Sequence, residues 1–182
     1  MNSALNQSKV FLSGTKIAIC PFARKHLEKS FDWANDPELS VLMGRARPIT
    51  EAEHEQWFAN LHQQKDGVFF SIESLDTAEH IGNVWLWNID LLHRKAELRI
   101  ILGSREHIGR GMGSEAISLA SDYAFDVLNL HKIYAYVLSI NERAKHSFEK
   151  VGFFVEGILK EDRFSRGSYI DVFLLGRVKR PG

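Results

Sequence analysis

The stretch Ile108-Gly109-Arg110-Gly111-Met112-Gly113 restricts this chain more than any other. Its three alternating glycines stand between a β-prone run, Ala96 to Leu102, and a long amphipathic stretch from about Ser114 to Leu128. Strand, glycine loop and helix in that order form the local design for holding a phosphate-bearing ligand. Glycine admits positive φ and lets the backbone approach a ligand closely. The free N–H groups of the following helix turn, together with the helix dipole, receive negative oxygens. Arg110 adds a positive charge nearby. A dinucleotide fingerprint would need a third glycine three residues after Gly111, where the chain has Ser114, and a Walker loop would need Gly-Lys-Ser/Thr. Both readings fail, and the plain alternative is a glycine turn that only starts a helix.

The whole chain is long enough for one domain. It has 182 residues, 45% of them hydrophobic, which is ordinary for a chain with a packed core. Basic and acidic residues balance at 23 each, so no field favours nucleic acid or an anionic membrane. The single Cys20 excludes an internal disulfide and suggests a reducing compartment. The first residues lack the basic start and apolar run of a signal peptide, and no run is long enough to span a membrane, so a cytoplasmic protein is expected. Residues 1–14, polar and ending in Ser13-Gly14, read as a flexible leader, and residues 15–178 as the domain.

Within that domain, Lys16 to Cys20 predicts a first strand, and Ala23 to Ala34 a helix ended by Asn35-Asp36-Pro37. Thr50 and Glu53 form a capping box at the start of a second helix, Glu51 to Gln63. Val68–Glu73, His80–Leu91 and Ala96–Leu102 are the next three strands. After the loop and its helix come a strand at Lys132–Val137 and a helix at Asn141–Val151, closed by Gly152. A hairpin of Phe153–Phe164 and Tyr169–Arg177 finishes the domain. The order β-α-α-β-β-β-α-β-α-β-β predicts an α/β fold with a mixed, mostly antiparallel sheet.

Three segments in this order resemble motifs of the GNAT superfamily of N-acetyltransferases. Ile100 to Ala116 looks like its motif A. Asn141-Glu142-Arg143-Ala144, with Phe148-Glu149-Lys150-Val151-Gly152-Phe153, resembles its motif B. Gly167-Ser168-Tyr169-Ile170-Asp171 is similar to the closing hairpin of the branch with ribosomal-protein and spermidine acetyltransferases. The resemblance covers about Lys16 to Arg177 and implies a single GNAT domain whose fourth and fifth predicted strands splay around acetyl-CoA. It implies that Ile108, Gly109, Arg110, Gly111, Met112, Gly113 and Ser114 hold the pyrophosphate, largely through backbone amides. Ile100, Ile101 and Leu102 would lie along the pantetheine arm, and Asn141 and Phe148 would also meet the coenzyme. The family often has Gln or Arg where this chain has Ile108, which removes a side-chain contact and leaves backbone donation intact. Asn141 also reads as a helix cap.

Acetyl transfer needs a neutral amine, yet a primary alkylamine has a pKa near ~10. Glu97, just before the coenzyme-contacting residues, is the leading base, with an ion pair to Arg99 as the competing reading. Many relatives protonate the departing thiolate with a tyrosine at the position of Phe148, whose ring cannot donate. Ser147 is the catalytic donor carried forward, beside His146, Tyr136 and water. Trp33, Trp85 and Trp87 are the expected acceptor-binding residues, although such tryptophans are often core. The acceptor expected first is a small amine such as an amino sugar. The alternatives are an N-terminal protein amine, as in ribosomal-protein acetylation, and a polyamine. Phe148 also motivates a reading from another class, a non-catalytic acyl-CoA-binding module. His54 and His62 lack ligand spacing and no metal is expected. A monomer or homodimer, with no nucleic-acid or membrane partner, completes the expectation.

Overall fold

The computed structural model describes residues 9–180. Its elements are β1 (Leu12–Ser13), β2 (Ile17–Pro21), α1 (Leu27–Asn35), α2 (Pro37–Leu42), α3 (Glu51–Asn60), β3 (Val68–Ser74), β4 (His80–Asp90) and β5 (Lys95–Leu102). Then follow α4 (Met112–Asp122), β6 (Lys132–Leu138), α5 (Glu142–Glu149), β7 (Phe154–Ser165) and β8 (Ser168–Val178). This is the expected α/β order with two additions, β1 and α2.

Both additions have local causes. The leader expected over residues 1–14 lies, for residues 1–8, outside the described residues. Its end is part of the sheet, because Leu12 pairs with Ile19 and Ser13 with Ala18. Asn35-Asp36-Pro37, expected only to stop a helix, also starts one. Asp36 accepts from the backbone N–H groups of Glu38 and Leu39 at 2.9 Å each, and Pro37 takes the first helical position, where a missing N–H does no harm. The hairpin turns at Arg166 and Gly167, both with positive φ, which matches the twist of the two flanking strands.

The eight strands lie in the order β1-β2-β3-β4-β5-β6-β8-β7. Every neighbouring pair is antiparallel except β5 and β6. The parallel ladder runs from Lys95↔Lys132 to Glu97↔Tyr134 and stops there, although both strands continue. The sheet therefore opens into a fork beyond Glu97.

Alternation along the central strands divides the chemistry between the two faces. Val84, Leu86, Ala96, Leu98, Ile133, Ala135 and Val137 are buried with Ala116, Ile117 and Ala120 of α4 in the main core. The opposite face carries Asn83, Trp85 and Trp87 on β4, registered against Ile101, Arg99 and Glu97 on β5. α1 and α3 pack beside this second face, so polar and aromatic groups are enclosed there. Gly103, just after β5, sits so close to the Trp33 ring of α1 that a Cβ would overlap it. Gly103→Ala should therefore lower stability by about 1–3 kcal/mol, read as a lower urea midpoint at unchanged slope.

Candidate functional site

The fork and the glycine loop meet in one cleft. Ile100, Ile101 and Leu102 form one wall; Ile108, Gly109, Gly111, Gly113 and Ser114 form the floor. Asn141, Ala144, Ser147 and Phe148 of the α5 region form the far wall, and the whole cleft encloses about 280 Å³. Gly109 and Gly111 have φ of 81° and 80°, so the loop needs glycine at both places. Gly111 is the N-cap of α4, and no side chain caps that helix. By contrast, Asp36, Thr50 and Asn141 cap α2, α3 and α5 with their side chains. The first-turn amides of α4 thus open onto the cleft without an internal acceptor from a capping side chain.

The loop residues alternate in direction. Arg110 and Met112, expected among the contact residues, do not line the cleft with their side chains. Met112 is buried in the core, and Arg110 lies on the other side of the loop, where its carbonyl oxygen accepts from Lys16 Nζ at 2.8 Å. Each turns away because the alternating glycines bring backbone, not side chain, to the cleft.

Asn141 is the helix cap expected from the sequence. Its Oδ1 accepts from the Ala144 N–H at 3.1 Å, capping α5, while the residue lines the cleft. Phe148 lines the cleft as well but is 3% exposed, packed edge-on against Phe153. Ser147 also lines the cleft, but its hydroxyl donates to the Arg143 carbonyl at 3.0 Å, one turn back on α5. Its proton is thereby engaged. Tyr136 is half exposed on β6 beside Tyr134 and lines neither cavity described here.

A second cavity of about 170 Å³ adjoins the first, and Met43 and Ile101 belong to the walls of both. Its other walls include Trp33, Trp57, Trp85, His54, Ser30 and Asn83, with Arg45 and Glu53. Trp33 and Trp85, expected from the sequence to bind the acceptor, are among these walls. Trp87 is not: it packs edge-on against Phe69, with the Arg99 guanidinium 5.4 Å from the centre of its ring. One step further along β4, it lies past the end of the cavity.

Glu97 is 5% exposed, and its oxygens accept from Arg99 Nε at 2.7 Å and Nη2 at 3.0 Å. It lines neither cavity. The ion pair weighed against the base role is formed, and it occupies both carboxylate oxygens. Glu53 does reach the second cavity. However, Arg47, the Thr50 amide and the Thr50 hydroxyl hold its carboxyl down at about 2.

Behind the second cavity lies a polar chain. His80 Nε2 donates to Asn83 Oδ1 at 2.8 Å, and Asn83 Nδ2 donates to Ser30 Oγ at 3.0 Å. Burial holds His80 down to about 4, so it is neutral at physiological pH. Ser30 and Asn83 were absent from the sequence expectation, and His54 entered it only as a metal ligand that its spacing ruled out. Single polar residues on three separate elements carry no motif; only the capping box that fixes α3 pointed toward His54. Leu39 and Leu42, which border the first cleft, were missed with the helix that carries them.

Among the described residues, no group of three His, Cys, Asp or Glu side chains stands close enough to hold a metal ion. Among the described residues, no helix is long and apolar enough to cross a membrane.

The Acetyltransferase (GNAT) domain family matches residues 16–154. Spermidine N(1)-acetyltransferase from Vibrio cholerae serotype O1 is 47% identical over 92 residues, 50% of this chain and 53% of that protein. This chain therefore spans about half the length of the curated relatives it matches first. A crystal structure of spermidine N-acetyltransferase from Vibrio cholerae, in complex with CoA and spermine, superposes with a TM-score of 0.82 at 31% identity. That superposition covers 91% of this chain and 96% of the other. A dodecameric structure of the same enzyme gives a TM-score of 0.77 at 31% identity, over 91% of this chain and 95% of that one. The expected monomer or homodimer is not matched by that assembly.

The depressed Glu53 carboxyl has a pH consequence. A carboxylate held below its unfolded value contributes stability above that value and loses it as pH falls through the folded one. The stability gap between the unsubstituted protein and Glu53→Gln should thus be fullest above pH 4.5 and shrink toward pH 2, as read from thermal unfolding at stepped pH.

Proposed function

This chain belongs to the GNAT acetyltransferase family, and we propose that it transfers acetyl from acetyl-CoA to a primary amine of a small polyamine, spermidine first among those to test. The observation that carries the reading is the junction of two cavities at Met43 and Ile101, one floored by an uncapped helix N-terminus and the other walled by three tryptophans. The pyrophosphate takes the α4 amides, and the thioester end reaches the Ile101 wall. Arg143 and Lys150, on the rim of the first cleft, add positive charge for phosphate.

The amino-sugar acceptor yields here to the polyamine alternative, because relatives of known name act on spermidine. An N-terminal protein amine gains no support from those relatives. The chemistry of the second cavity agrees with a slender alkylamine. Trp33, Trp57 and Trp85 accommodate methylene groups and attract an ammonium through their faces. Enclosure also disfavours the charged form of the reacting amine, which shifts it toward the neutral nucleophile.

Attack forms the C–N bond and places negative charge on the former carbonyl oxygen. Collapse breaks the C–S bond. Phe148 cannot protonate the sulfur and the Ser147 proton is engaged, so the leaving group departs as thiolate and takes its proton from water. A thiol with a pKa of about 8.5 makes that departure feasible. Glu97, with Arg99, anchors the base of the fork. Assembly of several copies belongs to the same reading: β7 is a sheet edge, and Phe154, Ile158 and Phe164 on it are exposed.

Thiol release from acetyl-CoA tests the proposal directly. Sustained turnover with spermidine, exceeding that with glucosamine, is expected; a chain that binds acetyl-CoA yet releases no thiol with any amine is the non-catalytic module instead. Gly111→Ala forces a side chain into the left-handed region, at about 1–2 kcal/mol. CoA affinity measured by calorimetry should fall by roughly five- to thirtyfold.

A further inference from the structure

We propose that His54 is the general base of this transfer, taking the proton of the attacking amine on Nδ1. The inference rests on the acetyltransferase reading above and assigns the residue that reading leaves open. Three observations carry it. His54 lines the acceptor cavity on the first part of α3, and it is buried. Its Nε2 lies 3.2 Å from the Leu27 carbonyl oxygen. A carbonyl only accepts, so Nε2 carries the hydrogen, and this network assigns the lone pair to Nδ1. The ring is also held in place, stacked on Trp57 at 5.3 Å with an 18° tilt and tilted against Phe31 at 5.6 Å. A fixed tautomer in a fixed ring is the arrangement that a base needs.

The competing groups are each committed elsewhere. Glu97 is bound by Arg99 and reaches neither cavity. Glu53 is held by Arg47 and Thr50. His80 spends its Nε2–H on Asn83 and lies behind the cavity wall. The charges that act on His54 come from three elements. The Leu27 carbonyl at the start of α1 and Glu55 on α3 favour its protonated form, and Arg45, in the segment before α3, opposes it. Burial is the largest influence and holds the group below 6.5, so it enters the reaction neutral at physiological pH.

The step balances. The amine lone pair forms the C–N bond, the carbonyl π pair moves to oxygen, and one N–H proton passes to Nδ1, giving an imidazolium. Collapse of the intermediate breaks the C–S bond, the electron pair leaves with sulfur, and His54 returns its proton to solvent, where the thiolate is protonated.

The test is initial-rate kinetics with spermidine and acetyl-CoA from pH 5.5 to 9 for the unsubstituted enzyme and His54→Gln. We expect kcat to fall by about 10²–10⁴-fold at neutral pH, with KM for acetyl-CoA unchanged. The acid limb that reflects His54 should vanish, and the remaining rate should follow the free-amine fraction upward with pH. A structural role would move KM and thermal stability without removing that limb. His54→Gln within twofold of the unsubstituted kcat, or with the acid limb intact, overturns the base. Absence of turnover in the unsubstituted enzyme overturns the acetyltransferase reading and the base together. A measurement that needs no variant is the ¹⁵N spectrum of the His54 ring. Hydrogen on Nε2 at neutral pH, titrating with the acid limb, is expected. Hydrogen on Nδ1 sinks the proposal.

Discussion

The end of the β5–β6 ladder at Glu97 and Tyr134 governs everything downstream of it. Backbone amides and carbonyls inside a protein must find partners, and a parallel ladder that stops early leaves a stretch of main chain in need of one. β4 continues to pair the outer side of β5, and β8 that of β6, so each strand stays straight while the gap between them opens. Under the proposed function the pantetheine arm, which carries amides of its own, completes what the sheet leaves unfinished. The Glu97–Arg99 pair then reads as the brace at the root of the gap. A buried carboxylate without that guanidinium would be costly just where the strands part.

A second brace holds the phosphate end. Glu115 lies in the first turn of α4, where a carboxylate facing the cleft would repel an anionic ligand. It is turned the other way instead. Its oxygens accept from the Thr15 amide, from the Thr15 hydroxyl at 3.0 Å and from the Lys16 amide at 3.2 Å. Lys16 in turn reaches the Arg110 carbonyl. The two residues just before β2 thus grip the loop from behind, while the loop's cleft face keeps only glycines, a serine and an isoleucine.

Much of this was legible in the chain before any coordinates. The glycine loop, the capping box at Thr50 and Glu53, and the alternation on the central strands are local signals, and local signals survive folding. Asp36-Pro37 was misread because the same residues that end one helix begin the next; only the hydrogen bonds from Glu38 and Leu39 decide between the two. Trp87 and Glu97 lie outside both cavities for another reason. Face can be read from alternation, but how far a cavity extends along a face depends on what packs above it, here α1 and α3. As a cavity wall, His54 was invisible for the same reason in reverse. Its significance comes from the Leu27 carbonyl and two aromatic rings contributed by separate parts of the chain.

Because Met43 and Ile101 are walls of both cavities, the two reactants under the proposed function sit side by side at the same time. No relay through the protein is needed. Cys20, the chain's one thiol, is fully buried in β2, away from either cavity, so it offers no place to park an acyl group. Under the proposed function, direct transfer between the two neighbours runs through a ternary complex, whose double-reciprocal plots converge instead of running parallel. The shared wall also means that whichever reactant arrives first reshapes the boundary met by the second. A coenzyme with a longer acyl chain would press on Met43 and take its added volume from the acceptor's side.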